Sequence, residues 1–291
     1  MTLQNYLYKH YTKATAKSYL REIKLFLAYQ KQAEKAIQKD LINYLNEQRK
    51  IQKASSINRI LQSIKKYYLY LVFIGVREDN PAQYLQIKDY KSKLPITKNR
   101  LLSQEEIQGI WQHFIRKNYR YKLLRNRNLA MLSLLLFQAL SMGEIIRLSL
   151  QDIDLENTQI NIPKTNRNNP RLLPLLPSQI LPFYTYLFQD RALLLSNKIE
   201  NKALFISKLG NPEQGDNLHY LLSTARHLYP HKTINPKTVR MSVISHQFEQ
   251  GKDIQQVQYF AGHRNPSSTE RYKTNQLEQL QQGILKHHPL A

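Results

Sequence analysis

Cysteine is absent from the 291-residue chain, which rules out disulfides, thiolate metal sites and a cysteine nucleophile. That absence is what a protein of the reducing cytoplasm is expected to show. Acidic residues are scarce: 21 Asp and Glu stand against 43 Lys and Arg, for a formal charge of +22. No apolar run reaches the roughly 20 residues that a membrane span needs. The opening "MTLQNYLYKHY" lacks a charged head followed by an apolar segment, so no secretory signal is expected. A glycine-rich phosphate loop is also missing, which leaves nucleotide binding and hydrolysis without support.

The charge excess is the dominant positive feature. A chain this cationic repels itself unless a polyanion neutralises it, so nucleic acid or an anionic membrane is the expected partner. The basic residues do not gather on one amphipathic helix, which favours nucleic acid. Hydrophobic residues make up 42% of the chain, enough for packed cores, and the length suggests two domains.

Helical spacing of apolar residues dominates. "TKATAKSYLREIKLFLAYQ", "QKDLINYLNEQRK" and "SSINRILQSIKKYYLYLVFIG" read as three helices, the last ended by Gly75. In "NPAQYLQI" Pro81 is placed at a helix start. These form a basic helical module over residues 1–88, and "KDYKSKLPITKNR" supplies a basic interdomain linker over 89–101. The remainder, 102–291, opens with a Ser103/Glu106 capping box, continues into the apolar helix "RNRNLAMLSLLLFQAL", and reaches two short strands around "KTNRNN". Further helices are expected at about 178–195, 217–229, 237–249 and 253–260, followed by the amphipathic tail "NQLEQLQQGILKHH".

The chemistry concentrates in "AGHRNPSSTERY" and, upstream, "PKTVR". Tyrosine is a poor nucleophile at neutral pH, its phenol pKa being about 10. Attack on a phosphodiester therefore requires cations around the phosphate and a proton donor for the departing oxygen. Tyr272 and His263 stand nine residues apart around a polar turn, and Lys237 and Arg240 stand one helical turn apart. Lys164 lies at the mouth of the strand pair. Taken singly these residues have ordinary explanations: there are 19 tyrosines, and lysines at hairpin turns are common. His287 and His288 are adjacent with no carboxylate or cysteine at ligand spacing, so no metal site is expected.

"PKTVR", "AGHRNPSSTERY" and "ALSMGEIIRLSLQDIDLENTQI" resemble, in order and spacing, the three signature regions of the tyrosine recombinases, the phage-integrase family. The resemblance runs along the whole chain. It implies a mainly α fold, with a helical, SAM-like core-binding domain followed by a mostly helical catalytic domain carrying a small β-hairpin or sheet. By position, Tyr272 would be the nucleophile forming a 3′-phosphotyrosyl bond, and Arg240 the second catalytic arginine. Lys237 falls at the family's histidine-or-lysine position, His263 at its His-or-Trp position, and Lys164 at the general-acid lysine. The hairpin is about two residues longer than usual, which makes Arg167 a rival to Lys164. No cofactor is implied. The partners implied are double-stranded DNA and three further copies of the chain on paired sites, joined through the C-terminal helix.

One position departs from the pattern. Where the family has its first catalytic arginine this chain has Ser141, with Glu144 in register three residues on. Serine cannot clamp a phosphate through two parallel bonds, and loss of one preorganised donor costs roughly 10²–10³ in rate. Arg127 and Arg147 flank the position. The alternative reading is therefore a weak or inactive relative that binds DNA in an accessory or regulatory role. A relaxing topoisomerase, which shares phosphotyrosine chemistry, is a more distant alternative.

Overall fold

Each helix of the N-terminal part begins with a local device written in its sequence. The computed structural model describes residues 1–87, 96, 98–195 and 201–273, and falls into two units, Met1–Leu94 and Pro95–Ala291. In the first, Thr2 caps α1 (Leu3–His10) and Thr12 caps α2 (Lys13–Tyr29), each accepting from a backbone N–H three residues on. Helix α3 (Gln38–Arg49) is started by Asp40, whose carboxylate accepts from the Ile37 N–H at 2.9 Å. Helix α4 (Ala54–Phe73) ends at Gly75, whose φ of +74° lets the Val76 N–H reach Leu71 O at 3.0 Å and the Gly75 N–H reach Val72 O at 3.1 Å. Ile23, Phe26, Leu41, Ile57, Leu61 and Tyr68 fill the core between these helices.

Two expectations change in this unit. Helix α1 extends the helical region to residue 3, and Pro81 begins turns rather than a helix. Asn80 explains the second: its Oδ1 captures the Ala82 N–H at 3.0 Å and its Nδ2 donates to Lys65 O at 3.1 Å. A side-chain turn of this kind competes with helix nucleation over so short a stretch.

Most of the expected linker lies outside the described residues. At its end, Ile96 and Leu101 are buried in the core of the second unit. There, α5 (Gln104–Arg116) carries the Ser103/Glu106 capping box, and α6 (Arg125–Phe137) is buried on nearly all sides. Helix α7 (Met142–Ile145) leads into an antiparallel sheet of three strands rather than two: β1 (Ile153–Asp154), β2 (Gln159–Ile162) and β3 (Arg171–Pro174). The register sets Ile160 opposite Leu173 and Ile162 opposite Arg171. The helix expected over 178–195 is divided into α8 (Pro177–Thr185), a wider π-helical turn at Tyr186–Asp190 and α9 (Arg191–Leu195). Tyr186 is tied at that turn, its hydroxyl donating to Leu204 O at 2.9 Å. Helices α10 (Asp216–Ser223), α11 (Pro236–Glu249) and α12 (Ile254–Ala261) follow, and residues 266–273 are again helical. The expected tail helix and the His287–His288 pair lie outside the described residues. Among the described residues no helix is long and apolar enough to cross a membrane, and no cluster of potential metal ligands occurs.

Candidate active site

Helix α11 owes its start to Asn235, whose Oδ1 accepts from Thr238 N at 2.9 Å, and to Pro236 in the first turn. That start fixes Lys237 and Arg240 one turn apart, with different outcomes. Lys237 is exposed, whereas the Arg240 side chain is only 14% exposed. Arg240 Nη1 donates to Ala139 O and lies 3.3 Å from Glu144 Oε2, and Nη2 donates to Ala261 O at 2.7 Å. Ala139 adopts φ +51°, a left-handed conformation costing an L-residue about 1–2 kcal/mol. The carbonyl presented by this turn is the one that Arg240 grips.

At the other side α12 ends on Gly262 in the left-handed region, and His263 follows. The His263 N–H donates to Gln258 O at 3.1 Å, and Nδ1 lies 2.9 Å from Thr269 Oγ1. Its ring stacks on that of Tyr272, with centroids 6.0 Å apart and planes at 24°. Burial, then the charges of Arg240 and Arg171, push the His263 pKa down to about 4, so the imidazole is neutral at pH 7. Burial also raises the Tyr272 phenol above its ordinary value, and Arg240 and Arg271 oppose that rise.

The β2–β3 connection is stitched to this loop. Asn168 pairs with His263 as an antiparallel bridge, the Asn169 N–H donates to Gly262 O at 2.8 Å, and Arg264 Nη1 donates to Asn166 O at 3.0 Å. Thr165 orders the connection from within, its Oγ1 accepting from Asn168 N at 2.9 Å. Lys164 and its rival Arg167 are both exposed on this connection. The structure thus gathers Tyr272, His263 and Arg240. It leaves Lys164 and Lys237 at the surface, with no bond to those three among the described residues.

Ser141 caps α7, its N–H and Oγ both 2.7 Å from Glu144 Oε2. Arg127 is committed elsewhere, donating from Nη1 to Glu213 Oε2 at 2.5 Å and to Ile206 O at 2.8 Å. Arg147 is exposed. Besides Arg240, a second arginine, not singled out from the sequence, reaches Glu144: Arg171 Nη1 donates to Glu144 Oε1 at 2.6 Å. Burial pushes the Glu144 carboxyl up, but Arg171, then Arg240 and the Ser141 N–H, outweigh it and hold the pKa down at about 2. The signal for Arg171 was the strand alternation, buried at Arg171 and Leu173 and exposed at Leu172 and Pro174, which turns a basic residue inward.

A sequence profile described as the phage integrase family matches residues 100–279, and one described as the phage integrase N-terminal SAM-like domain matches residues 3–73. The chain belongs to the phage integrase family. As a family member it is a tyrosine-type site-specific DNA recombinase. It is 25% identical over 290 residues to tyrosine recombinase XerC of Lacticaseibacillus casei (strain BL23), covering 97% of this chain and 94% of that one. It is 27% identical over 290 residues to tyrosine recombinase XerD of Oceanobacillus iheyensis (strain DSM 14371), covering 95% and 93%. Among solved structures, the XerH site-specific recombinase bound to palindromic difH substrate shares the fold, with a TM-score of 0.75 at 16% identity, over 92% of this chain and 78% of that one.

Proposed function

We propose that this recombinase cuts and rejoins double-stranded DNA through Tyr272. The phenol oxygen bonds to the scissile phosphorus, the bond to the 5′ oxygen breaks, and the phosphate becomes a 3′-phosphotyrosyl ester. Lys164 delivers a proton to the departing 5′ oxygen, from a connection tied to the His263 loop. Arg240 neutralises the phosphate, with Lys237 adding charge from one turn earlier. His263 is neutral before DNA arrives; with Nδ1 beside Thr269 Oγ1, its Nε2 is the nitrogen that accepts the phenol proton once the phosphate anion has raised its pKa. Attack by a partner strand's 5′-hydroxyl reverses the step, so no nucleotide cofactor or metal is called for.

The observation that carries this reading is the stack of His263 on a buried Tyr272 beside the Arg240 guanidinium. Replacing Tyr272 with Phe and looking for a covalent protein–DNA complex tests it. The basic linker over 89–101 joins a core-binding domain, 1–88, to a catalytic domain, 102–291, and its lysines add to the charge that DNA neutralises. Four copies act on two sites, each lending its C-terminal segment to a neighbour. A groove of about 940 Å³ on the second unit, with Leu136, Phe137, Val243, Tyr259 and Phe260 in its wall, offers an apolar seat for that segment.

Ser141 favours a second reading, in which the chain binds DNA and cleaves it weakly or not at all. The variant Ser141→Arg separates the two, because restored cleavage requires the rest of the site to be competent.

A further inference from the structure

We propose that Arg171 is a positioning residue of this active site: by holding Glu144 it keeps the Arg240 guanidinium available to the scissile phosphate. The proposal rests on the recombinase reading above and adds a charge-balancing device to it. The Arg171 side chain is 0% exposed, so it acts through its neighbours and not on DNA.

Glu144 is the hub. Its Oε2 is filled by the N–H and Oγ of Ser141, each at 2.7 Å, and its Oε1 by Arg171 at 2.6 Å. The contact left to Arg240 is long, 3.3 Å. A buried carboxylate held ionised attracts whatever cation is near it, and in a low-dielectric setting that pull is strong. With Arg171 in place the short charge-assisted bond is already made. Without it, Ser141 still caps Oε2, but Arg240 is the remaining cation against Glu144 among the described residues and becomes the carboxylate's counter-ion instead of the phosphate's.

Arg171 also lies beneath the loop that carries His263. Its Nε donates to Phe260 O at 2.8 Å, and a Cβ on Gly262 would collide with Nη1 and come within 2.8 Å of Cζ. Gly262 is thus needed both for its φ of +69° and for the passage of this guanidinium. Arg171 Nη2 is buried with no hydrogen-bond partner among the described residues. With serine at position 141, Arg171 and Arg240 are the two guanidinium groups on Glu144 among the described residues, and the balance between them decides how much of Arg240's charge faces DNA.

The test compares the native protein with Arg171→Gln, Arg171→Lys and the double variant Glu144→Gln/Arg171→Gln. Single-turnover formation of the covalent complex is followed at saturating DNA on a bridging-phosphorothiolate substrate, with DNA affinity measured alongside. Arg171→Gln is expected to slow the step by roughly 10²-fold, the scale of one misplaced transition-state donor, with Kd little changed. Arg171→Lys should fall between, and the double variant should recover about tenfold, because removing the carboxylate removes the competing anion. A merely structural role predicts the opposite order, with the double variant slower than the single one. That order, or an Arg171→Gln protein as fast as the native one, overturns the proposal. Nitrogen-15 NMR of the Arg240 guanidinium gives a readout independent of cleavage. Arg171→Gln should shift the Arg240 Nε resonance and the double variant should return it; an unmoved resonance also overturns the inference. A native protein that forms no adduct refutes the catalytic reading, and the NMR arm still decides this one.

Discussion

The imidazole of His263 lies over the ring of Tyr272, 6.0 Å between centroids, while its Nδ1 sits 2.9 Å from Thr269 Oγ1. The threonine holds the ring's orientation, and burial, then the charges of Arg240 and Arg171, keeps it neutral. His263 is expected to titrate near pH 4 in the free protein, below the ordinary histidine value of about 6.5. The folded state therefore resists protonation, so stability from this group is complete above about pH 6.5 and declines as pH falls towards 4. Imidazole NMR gives the midpoint directly. Denaturant melts of His263→Gln should show a flatter pH dependence across that window, and a midpoint of 6.5 or above contradicts the account.

Ser141→Arg should speed covalent-complex formation by at least about tenfold, since one added transition-state donor contributes roughly 10²–10³. The new side chain enters beside Glu144 and Arg240, where it also competes for the carboxylate. Single-turnover rates at saturating DNA separate the gain from any change in affinity. An unchanged rate would mean that the native site already has the cations it needs, or lacks something other than this arginine.

Glu144→Gln alone should destabilise the fold by roughly 3–5 kcal/mol, because it leaves the fully buried Arg171 cation without its partner. The loss should appear as a lower midpoint in denaturant at pH 7, and should shrink as pH is taken from about 4.5 towards 2, where the native carboxylate itself is protonated. An equal loss at pH 2 and at pH 7 would show that the pair contributes packing and not charge.

Thr158 is a β-branched residue held at φ +52° in the exposed turn between β1 and β2. Thr158→Gly should stabilise the second unit by about 0.5–1 kcal/mol, seen as a higher Tm, with covalent-complex formation unaffected. A lower Tm would show that the side chain contributes more than the backbone strain costs.

The helices and their ends were legible because their causes are local. Thr12 and Ser103 announce helix starts, and Gly75 marks a helix end. The spacing from Lys237 through His263 to Tyr272 was readable for the same reason: it lies within about 35 consecutive residues of capped helices and one turn. What stayed hidden depends on distance in the chain. Arg171 is separated from Glu144 by 27 residues and from Phe260 by 89, so no window of sequence joins them. The charge of Arg127 drew attention because it flanks Ser141 in sequence, yet its partner is Glu213, 86 residues away. Pro81 misled because proline favours a helix start in general, and only the reach of Asn80 to Lys65 shows why a turn prevails.

The most direct test of the account is a trapping assay on nicked or bridging-phosphorothiolate DNA from the gene's own flanks, resolved on denaturing gels. The native protein should form a covalent complex, and Tyr272→Phe should form none while binding the same DNA with nearly unchanged affinity. An adduct that persists in Tyr272→Phe would contradict the assignment of the nucleophile. Specific protection of the DNA with no adduct from the native protein would contradict catalysis at this site altogether.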